Sequence, residues 1–196
     1  MLRDAVTAPI FQLNPDFIPE NGTGLNILLQ NYWMVIHPPT LFLGFAISII
    51  PFSYAISSLR LNDYKFWILP AKKWLVLSII ILGVGIMMGA YWAYETLNFG
   101  GYWNWDPVEN ASLLPWFCMT ALMHSIIVLE KKGQLYSWVL ILCLMTFVLT
   151  IAGTFLVRSG ILNSVHTFAN DPTRGLYILI ILLLACLVSF FIFINF

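Results

Sequence analysis

The chain has 196 residues, of which 60% are apolar and only 9% charged, and its formal net charge is zero. This composition lies outside the range of soluble domains, and the lack of excess positive charge argues against nucleic acid as a partner. It predicts an integral membrane protein.

Apolar segments long enough to cross a bilayer, which takes about 20 residues each, recur along the chain. Only helices and closed barrels satisfy their backbone in lipid, and these runs are too continuous for barrel strands. We therefore predict an all-α integral membrane helix bundle with five transmembrane helices, at residues 41–59, 74–93, 111–129, 135–156 and 176–196. Residues 1–38 are predicted to be an outer N-terminal segment, and residues 39–196 one transmembrane module.

The basic residues predict the orientation of the bundle. Six of the nine Lys and Arg residues follow the first or the third predicted helix, on the same side of the membrane. By the positive-inside rule this side faces the cytoplasm or the mitochondrial matrix. The N-terminal segment, a loop at 92–116 and a second loop at 157–174 then share the outer face.

Proline marks the expected helix starts on that outer face, at His37-Pro38-Pro39, Asp106-Pro107 and Asp171-Pro172. Proline is tolerated at the first helical position, where its missing amide would be unpaired anyway. Asp106 and Glu109 also have the spacing of a capping box. These carboxylates could stabilise the helix start, contact a ligand, or do both.

The outer loop at 92–116 is rich in tryptophan and contains the pair Gly100-Gly101. So much flat aromatic surface in one connection favours a flat apolar ligand, and porphyrin is the obvious candidate. Belt aromatics at the membrane interface are the alternative, but they normally scatter over both faces. The glycines allow a sharp turn or a close backbone approach. The tryptophans are Trp92, Trp103, Trp105 and Trp116.

Two of the three histidines, His37 and His166, flank this loop on the outer side. A single outer histidine is more often solvated or a cap, but two beside an aromatic platform favour ligation of a metal such as haem iron. His124 lies within the third predicted helix. An ionisable residue inside the membrane usually has a function, and the alternative is a hydrogen bond to a neighbouring helix.

Other chemistries find no support in the sequence. Cys118, Cys143 and Cys186 all fall in predicted helices and form no C-x-x-C pair, which argues against thiol–disulfide exchange. Neither a P-loop nor a dinucleotide fingerprint is present. The glycines at 83, 85 and 89 have the spacing of close helix contacts, so we interpret them as packing residues.

The string GGYWNWDPVENASLLPW at 100–116 resembles the tryptophan-rich "WWD" signature of haem-handling cytochrome c assembly proteins. Its DPVENAS portion is similar to the CcmF/NrfE branch rather than to CcmC or CcsA. Three further strings resemble the same branch: IHPPTLFLG, ALMHSIIVLEKKG and LVRSGILNSVHTFANDPTRG. The loop departs from the family only in having Asn98-Phe99 and Tyr102 where members often carry tryptophan.

The resemblance implies a cytochrome c-type biogenesis protein that takes part in haem lyase chemistry, which joins haem vinyl groups to the cysteines of C-x-x-C-H in apocytochrome c. It implies His37 and His166 as axial ligands of haem at the tryptophan-rich loop. It also implies His124 as one ligand of a second, b-type haem, whose other ligand comes from beyond residue 196. The chain then corresponds to a central module or to one piece of a split protein.

The resemblance also implies the partners: the haem carrier CcmE, a CcmH-type protein that presents apocytochrome, apocytochrome c itself and membrane lipid. Judged only by their positive charge and their predicted location on the outer side of the membrane, Arg158 and Arg174 are the cations best placed to pair with haem propionates. The implied location is the bacterial inner membrane with the loop facing the periplasm, or alternatively the mitochondrial inner membrane. A haem transporter or chaperone that delivers haem without ligation is the alternative function.

Overall fold

The structure, a computed structural model, describes residues 24–62, 65–97, 100–162, 164 and 172–194, and over these residues it contains helices and no strands. A short 3-10 turn at Ile27–Leu29 precedes the helices. The all-α fold predicted from the sequence is confirmed. The helices are α1 (Tyr32–Ile47), α2 (Ile49–Leu61), α3 (Ile68–Thr96), α4 (Pro107–Lys132), α5 (Tyr136–Ser159) and α6 (Pro172–Ile194).

Five segments of the described chain are long and apolar enough to cross a membrane, as predicted. The first of them, Tyr32–Leu61, consists of α1 and α2 with a break at Ser48. Pro51 explains this break, because it has no amide to bond the carbonyl of Ile47, and helices kink in the turn before a proline. The Ser48 hydroxyl donates to the carbonyl of Phe45 at 2.6 Å and closes the broken turn.

The start of the first membrane helix was predicted wrongly. Helix α1 begins at Tyr32, and Pro38 and Pro39 lie inside it rather than at its first position. The cap is Asn31, whose side chain accepts the amide of Trp33 at 2.8 Å. His37 is therefore part of a membrane helix and does not precede one.

The other two proline-marked starts are confirmed, since α4 begins at Pro107 and α6 at Pro172. Successive spans run antiparallel, and the most extensive contacts join α1 to α3, α4 to α5, and α5 to α6. Ser78 on α3 is fully buried at the centre, where its hydroxyl donates to the carbonyl of Gly44 on α1 at 2.7 Å.

Basic residues gather at one end of the bundle. Lys72 near the start of α3 forms an ion pair with Glu130 near the end of α4, where Lys131 and Lys132 follow. We call this the basic end and the opposite one the tryptophan end. The structure thus places at one end the basic residues from which the inner face was predicted. The direction in which the bundle crosses the membrane stays a prediction.

Glycines allow α1 and α3 to approach closely. A Cβ at Gly44 would lie 2.8 Å from the backbone nitrogen of Leu82, and a Cβ at Gly85 would lie 2.8 Å from the α-carbon of Leu41. Backbone atoms cannot yield as a flexible side chain can, so neither position has room for a methyl group. The prediction that Gly85 and Gly89 serve helix packing is confirmed, since Gly89 lies against His37 of α1.

We expect Gly44→Ala to lower the free energy of unfolding by about 1–3 kcal/mol, the usual effect of overpacking a tight contact. The added methyl group has to push α1 away from the backbone of α3. Gly101→Ala is the matched control, because a Cβ there meets nothing within 4 Å. Denaturant titration in detergent micelles measures both variants, and equal stability of the two would contradict the close contact.

Candidate functional site

The connection at the tryptophan end is shorter than predicted. Trp92 lies in the last turns of α3, and Trp116 lies well inside α4. Only residues 97–106 connect the two helices. The tryptophans therefore divide between helix packing and a short loop, which we call the tryptophan loop.

The carboxylates at the start of α4 form the predicted capping box. One carboxylate oxygen of Glu109, Oε2, accepts the backbone amides of Asn104 at 2.9 Å and of Asp106 at 3.2 Å. Asp106 Oδ1 accepts the amide of Val108 at 3.2 Å. Both acidic side chains are buried, so their first role is to hold the loop against the helix start.

His37 is held by the backbone of α3. Its Nδ1 lies 2.7 Å from the carbonyl oxygen of Gly85, and a carbonyl only accepts, so Nδ1–H is the donor. In the neutral ring this leaves the lone pair on Nε2. Metal-ligating histidines commonly have their other ring nitrogen oriented by a carbonyl or carboxylate in this way.

Gly89 provides the space for the His37 ring. A Cβ added at Gly89 would lie 2.5 Å from Cε1 of His37 and 2.9 Å from both ring nitrogens. The ring thus lies directly on the backbone of α3. Any side chain at this position would displace it, so the orientation of the imidazole depends on a glycine from another helix.

A cavity of about 180 Å³ opens beside this imidazole, between α1, α3, the tryptophan loop, α4 and α5. Trp92 and Trp103 line it together with His37. Most of the remaining wall is aliphatic or aromatic, and its polar side chains are few. These are Glu109 and Ser112 from α4 and Thr154 from α5.

A close contact between α4 and α5 lies beside the cavity. Pro115 has no amide to bond the carbonyl of Ala111. That carbonyl faces Gly153 of α5, where an added Cβ would lie only 3.0 Å from the oxygen. Gly153 is buried and lines the cavity, so the two helices meet backbone to backbone at this depth.

The four tryptophans predicted to act together have different surroundings. Trp92 is 1% exposed, and its indole N–H donates to the carbonyl of Leu28 at 3.1 Å. Trp103 also lines the cavity, but its buried indole nitrogen has no hydrogen-bond partner in the part of the chain that the structure describes. Trp105 is 72% exposed and has a left-handed backbone with φ of 56°.

Trp116 lies apart from the cavity. Its indole N–H donates to the carbonyl of Ile79 on α3 at 3.1 Å, and a Cβ at Gly83 would lie 2.9 Å from the indole nitrogen. The structure therefore places Trp116 in the α3–α4 interface. Gly83 packs there too, as the spacing of the glycines predicted.

A second aromatic group lies on the outside of the tryptophan end. Tyr94 of α3 and Tyr102 of the loop are stacked, with ring centroids 4.4 Å apart and planes at 9°. Tyr91 joins them and makes an edge contact at 4.9 Å with Trp33 of α1. Trp33 was not predicted as part of the site, although it precedes His37 by four residues and such residues share one face of a helix.

The remaining predicted residues are only partly brought together. Gly100 adopts φ of 73° in the turn after α3, a conformation that favours glycine, whereas Gly101 shows neither a positive φ nor a close neighbour. Arg158 is half-buried in the last turn of α5, and Arg174 is exposed in the first turn of α6. His166 lies outside the described residues.

His124 is exposed on α4, eight residues before the helix ends at the basic end. Its neighbours Leu122 and Ile126 point instead into the core. His37 and His124 thus occupy different halves of the bundle and cannot serve one site. Among the described residues no cluster of three or more His, Cys, Asp or Glu is present.

Comparison with known proteins decides the family. Residues 6–162 match the family described as "Cytochrome C assembly protein". The chain belongs to this family. As an integral membrane protein of the cytochrome c assembly family, it is similar to CcmF-type and NrfE-type members, as the tryptophan-rich string and its companions predicted.

Several bacterial cytochrome c assembly proteins are close in sequence. The cytochrome c-type biogenesis protein CycK of Bradyrhizobium diazoefficiens is 49% identical over 167 residues, which cover 85% of this chain and 25% of that protein. CcmF of Haemophilus influenzae is 46% identical over 172 residues, or 87% of this chain and 26% of that protein. NrfE of the same organism is 41% identical over 173 residues, or 88% and 27%.

A solved structure of the family has the same fold. The protein titled "Cytochrome c Heme Lyase CcmF" superposes with a TM-score of 0.72 at 29% identity, over 85% of this chain and 26% of that one. The chain thus spans about a quarter of the length of the relatives it matches.

The two cavity tryptophans should respond differently to loss of the indole N–H. Trp92→Phe leaves the Leu28 carbonyl without its donor, whereas Trp103→Phe removes a buried donor that has no acceptor among the described residues. Both variants lose similar ring area, so we expect Trp92→Phe to be the more destabilising by about 1–3 kcal/mol. Unfolding titrations measure the difference, and the reverse order would contradict the assigned bond.

Proposed function

We propose that this chain binds haem at its tryptophan end and takes part in the covalent attachment of haem to apocytochrome c, as a haem lyase component. Membership of the cytochrome c assembly family supports the process. The observation that carries the site is His37, whose Nδ1–H is bonded to the Gly85 carbonyl beside an aromatic-lined cavity.

The residues around His37 fit a haem in their chemistry. The walls are mostly apolar, the imidazole is oriented through its Nδ1, and the buried N–H of Trp103 suits an acceptor on a bound ligand. In size, the cavity of about 180 Å³ is smaller than the roughly 300–1,000 Å³ of typical ligand pockets. Only part of a porphyrin would therefore be enclosed, and the exposed ring of Trp105 offers further apolar surface outside.

The second outer ligand is proposed to be His166, from the sequence resemblance alone. Arg158 and Arg174 remain the proposed partners of the haem propionates. Their helix ends, at the close of α5 and the opening of α6, both belong to the tryptophan end. A guanidinium binds a carboxylate through two parallel hydrogen bonds, which would orient the macrocycle as well as attract it.

His124 is the proposed ligand of a second, b-type haem. Its exposed position on α4 and its distance from the tryptophan end support a separate site. The other ligand has to come from outside the described residues, because His37 is the only other described histidine. A helix from another segment or subunit would then pack against this face of α4.

Haem bound at the tryptophan end would supply the vinyl groups to which the C-x-x-C-H thiols add. Among the described residues no thiol lines this cavity, since all three cysteines lie elsewhere in α4, α5 and α6. The contribution of the protein would be to hold the imidazole ligand, to exclude water with the apolar walls and to orient the reacting groups.

The proposed partners follow the family resemblance: the haem carrier CcmE, a CcmH-type protein and apocytochrome c. With the basic end facing the cytoplasm or matrix, the tryptophan end would face the periplasm, or in a mitochondrion the intermembrane space. Transport of haem to a carrier without ligation is the alternative function at the same site.

An absorption spectrum tests the site. We expect the purified protein to show a Soret band, and His37→Ala to lose the outer-site contribution because an axial ligand is gone. Gly89→Ala should cause a similar loss while keeping every histidine, because its methyl group displaces the imidazole. Gly101→Ala is the benign glycine control, and His124→Ala should spare the outer site.

A folded preparation without haem in any variant would contradict the proposal. A Soret band that is insensitive to both His37→Ala and Gly89→Ala would move the haem away from the tryptophan end. Elution as a single species in size-exclusion chromatography shows that each variant has folded, so that loss of haem is not mistaken for loss of structure.

The lyase and transporter functions can be distinguished in cells that lack their own haem lyase. In these cells the chain is expressed together with its proposed partners. We expect a reporter cytochrome c to acquire haem that survives denaturing electrophoresis, since a thioether bond has formed. Haem that loads the carrier while the reporter stays without covalent haem would favour transport. The His37→Ala variant is the negative control for both readouts.

A further inference from the structure

A hydrogen bond connects the tryptophan loop to the segment that follows α5. The hydroxyl of Ser164 donates to Oδ2 of Asp106 at 2.6 Å, although the two residues are 58 positions apart in the chain. The other oxygen of the same carboxylate, Oδ1, accepts the amide of Val108. Asp106 therefore joins the N-terminus of α4 to a distant segment through one buried side chain.

This bond links two walls of the cavity beside His37. Trp103 and Val108, on either side of Asp106 in the chain, line one wall. Thr154 and Val157, in the last turns of α5, also line the cavity, and the chain continues from there to Ser164. The Asp106–Ser164 bond thus fixes how Ser164 lies relative to the start of α4.

The chemical groups in this hydrogen bond favour a strong interaction. A hydroxyl that donates to a carboxylate forms a charge-assisted hydrogen bond, which is shorter and stronger than a neutral one. The amide ends at the start of α4 also stabilise the negative charge of Asp106. The contact is partly buried, so water competes with it less than at an open surface.

We propose that Ser164 is a positioning residue for the haem site, acting through Asp106. This inference rests on the proposed function. The bond joins a residue after α5 to the loop whose Trp103 lines the cavity, so its loss should alter the cavity beside His37. On this view Asp106 serves the site by holding the two outer segments in register and not by touching haem.

The experiment uses three serine variants of the full chain, titrated with haemin in detergent micelles. Ser164→Ala should lower haemin affinity about tenfold, the effect of losing one charge-assisted hydrogen bond, and should shift the Soret band. Ser164→Thr retains the hydroxyl and should restore both. Ser53→Ala is the matched control, because among the described residues the Ser53 hydroxyl bonds only to the Ile49 carbonyl of its own helix, away from the tryptophan end.

Hydrogen exchange of the segment 160–164 gives a readout that does not depend on haem. Exchange should be faster in Ser164→Ala than in Ser53→Ala, because the hydrogen bond to Asp106 is lost. Unchanged exchange, or faster exchange with unchanged haemin affinity and spectrum, would overturn the positioning role. If the unsubstituted protein binds haemin nowhere, the proposed function itself fails, and that outcome is distinct from an insensitive Ser164→Ala.

Discussion

The close approach of α1 and α3 is the constraint on which the site depends. Along this interface Gly44, Gly85 and Gly89 each lie where a methyl group would collide with the other helix. The contacts at Gly44 and Gly85 involve the backbone of the other helix and pack the two helices, and the carbonyl of Gly85 also accepts the hydrogen bond from His37. At the third the neighbour is the imidazole of His37, so the same mode of packing that builds the bundle also orients the candidate ligand.

The acidic residues of the tryptophan end act mainly as structural acceptors. Glu109 receives two backbone amides, and Asp106 receives one amide and the hydroxyl of Ser164. Buried carboxylates need such partners, because an unpaired charge away from water is strongly unfavourable. The short loop is consequently held at its C-terminal side by charge and at its N-terminal side by the stacked rings of Tyr94 and Tyr102.

Two regions of the bundle differ in how completely they are enclosed. The core of α2 to α5 towards the basic end is packed with fully buried apolar side chains such as Leu75, Leu122 and Val139. Helix α6 has few residues buried against the rest of the described chain and presents a long apolar surface, as suits a helix that faces lipid or further helices. His124 lies on a surface of α4 that is likewise exposed.

Much of this protein was predictable from its sequence, because lipid imposes helices on any apolar run of sufficient length. The number of spans, the capping box of Asp106 and Glu109, and the packing role of the glycines all follow from local patterns. The start of α1 did not, because Pro38 suggested a helix start while Asn31 supplied a better cap. Only the tertiary structure could place Trp116 in a helix interface, Trp103 at the cavity and Ser164 on Asp106. Those contacts join residues far apart in the chain, and their geometry depends on how closely the helices approach.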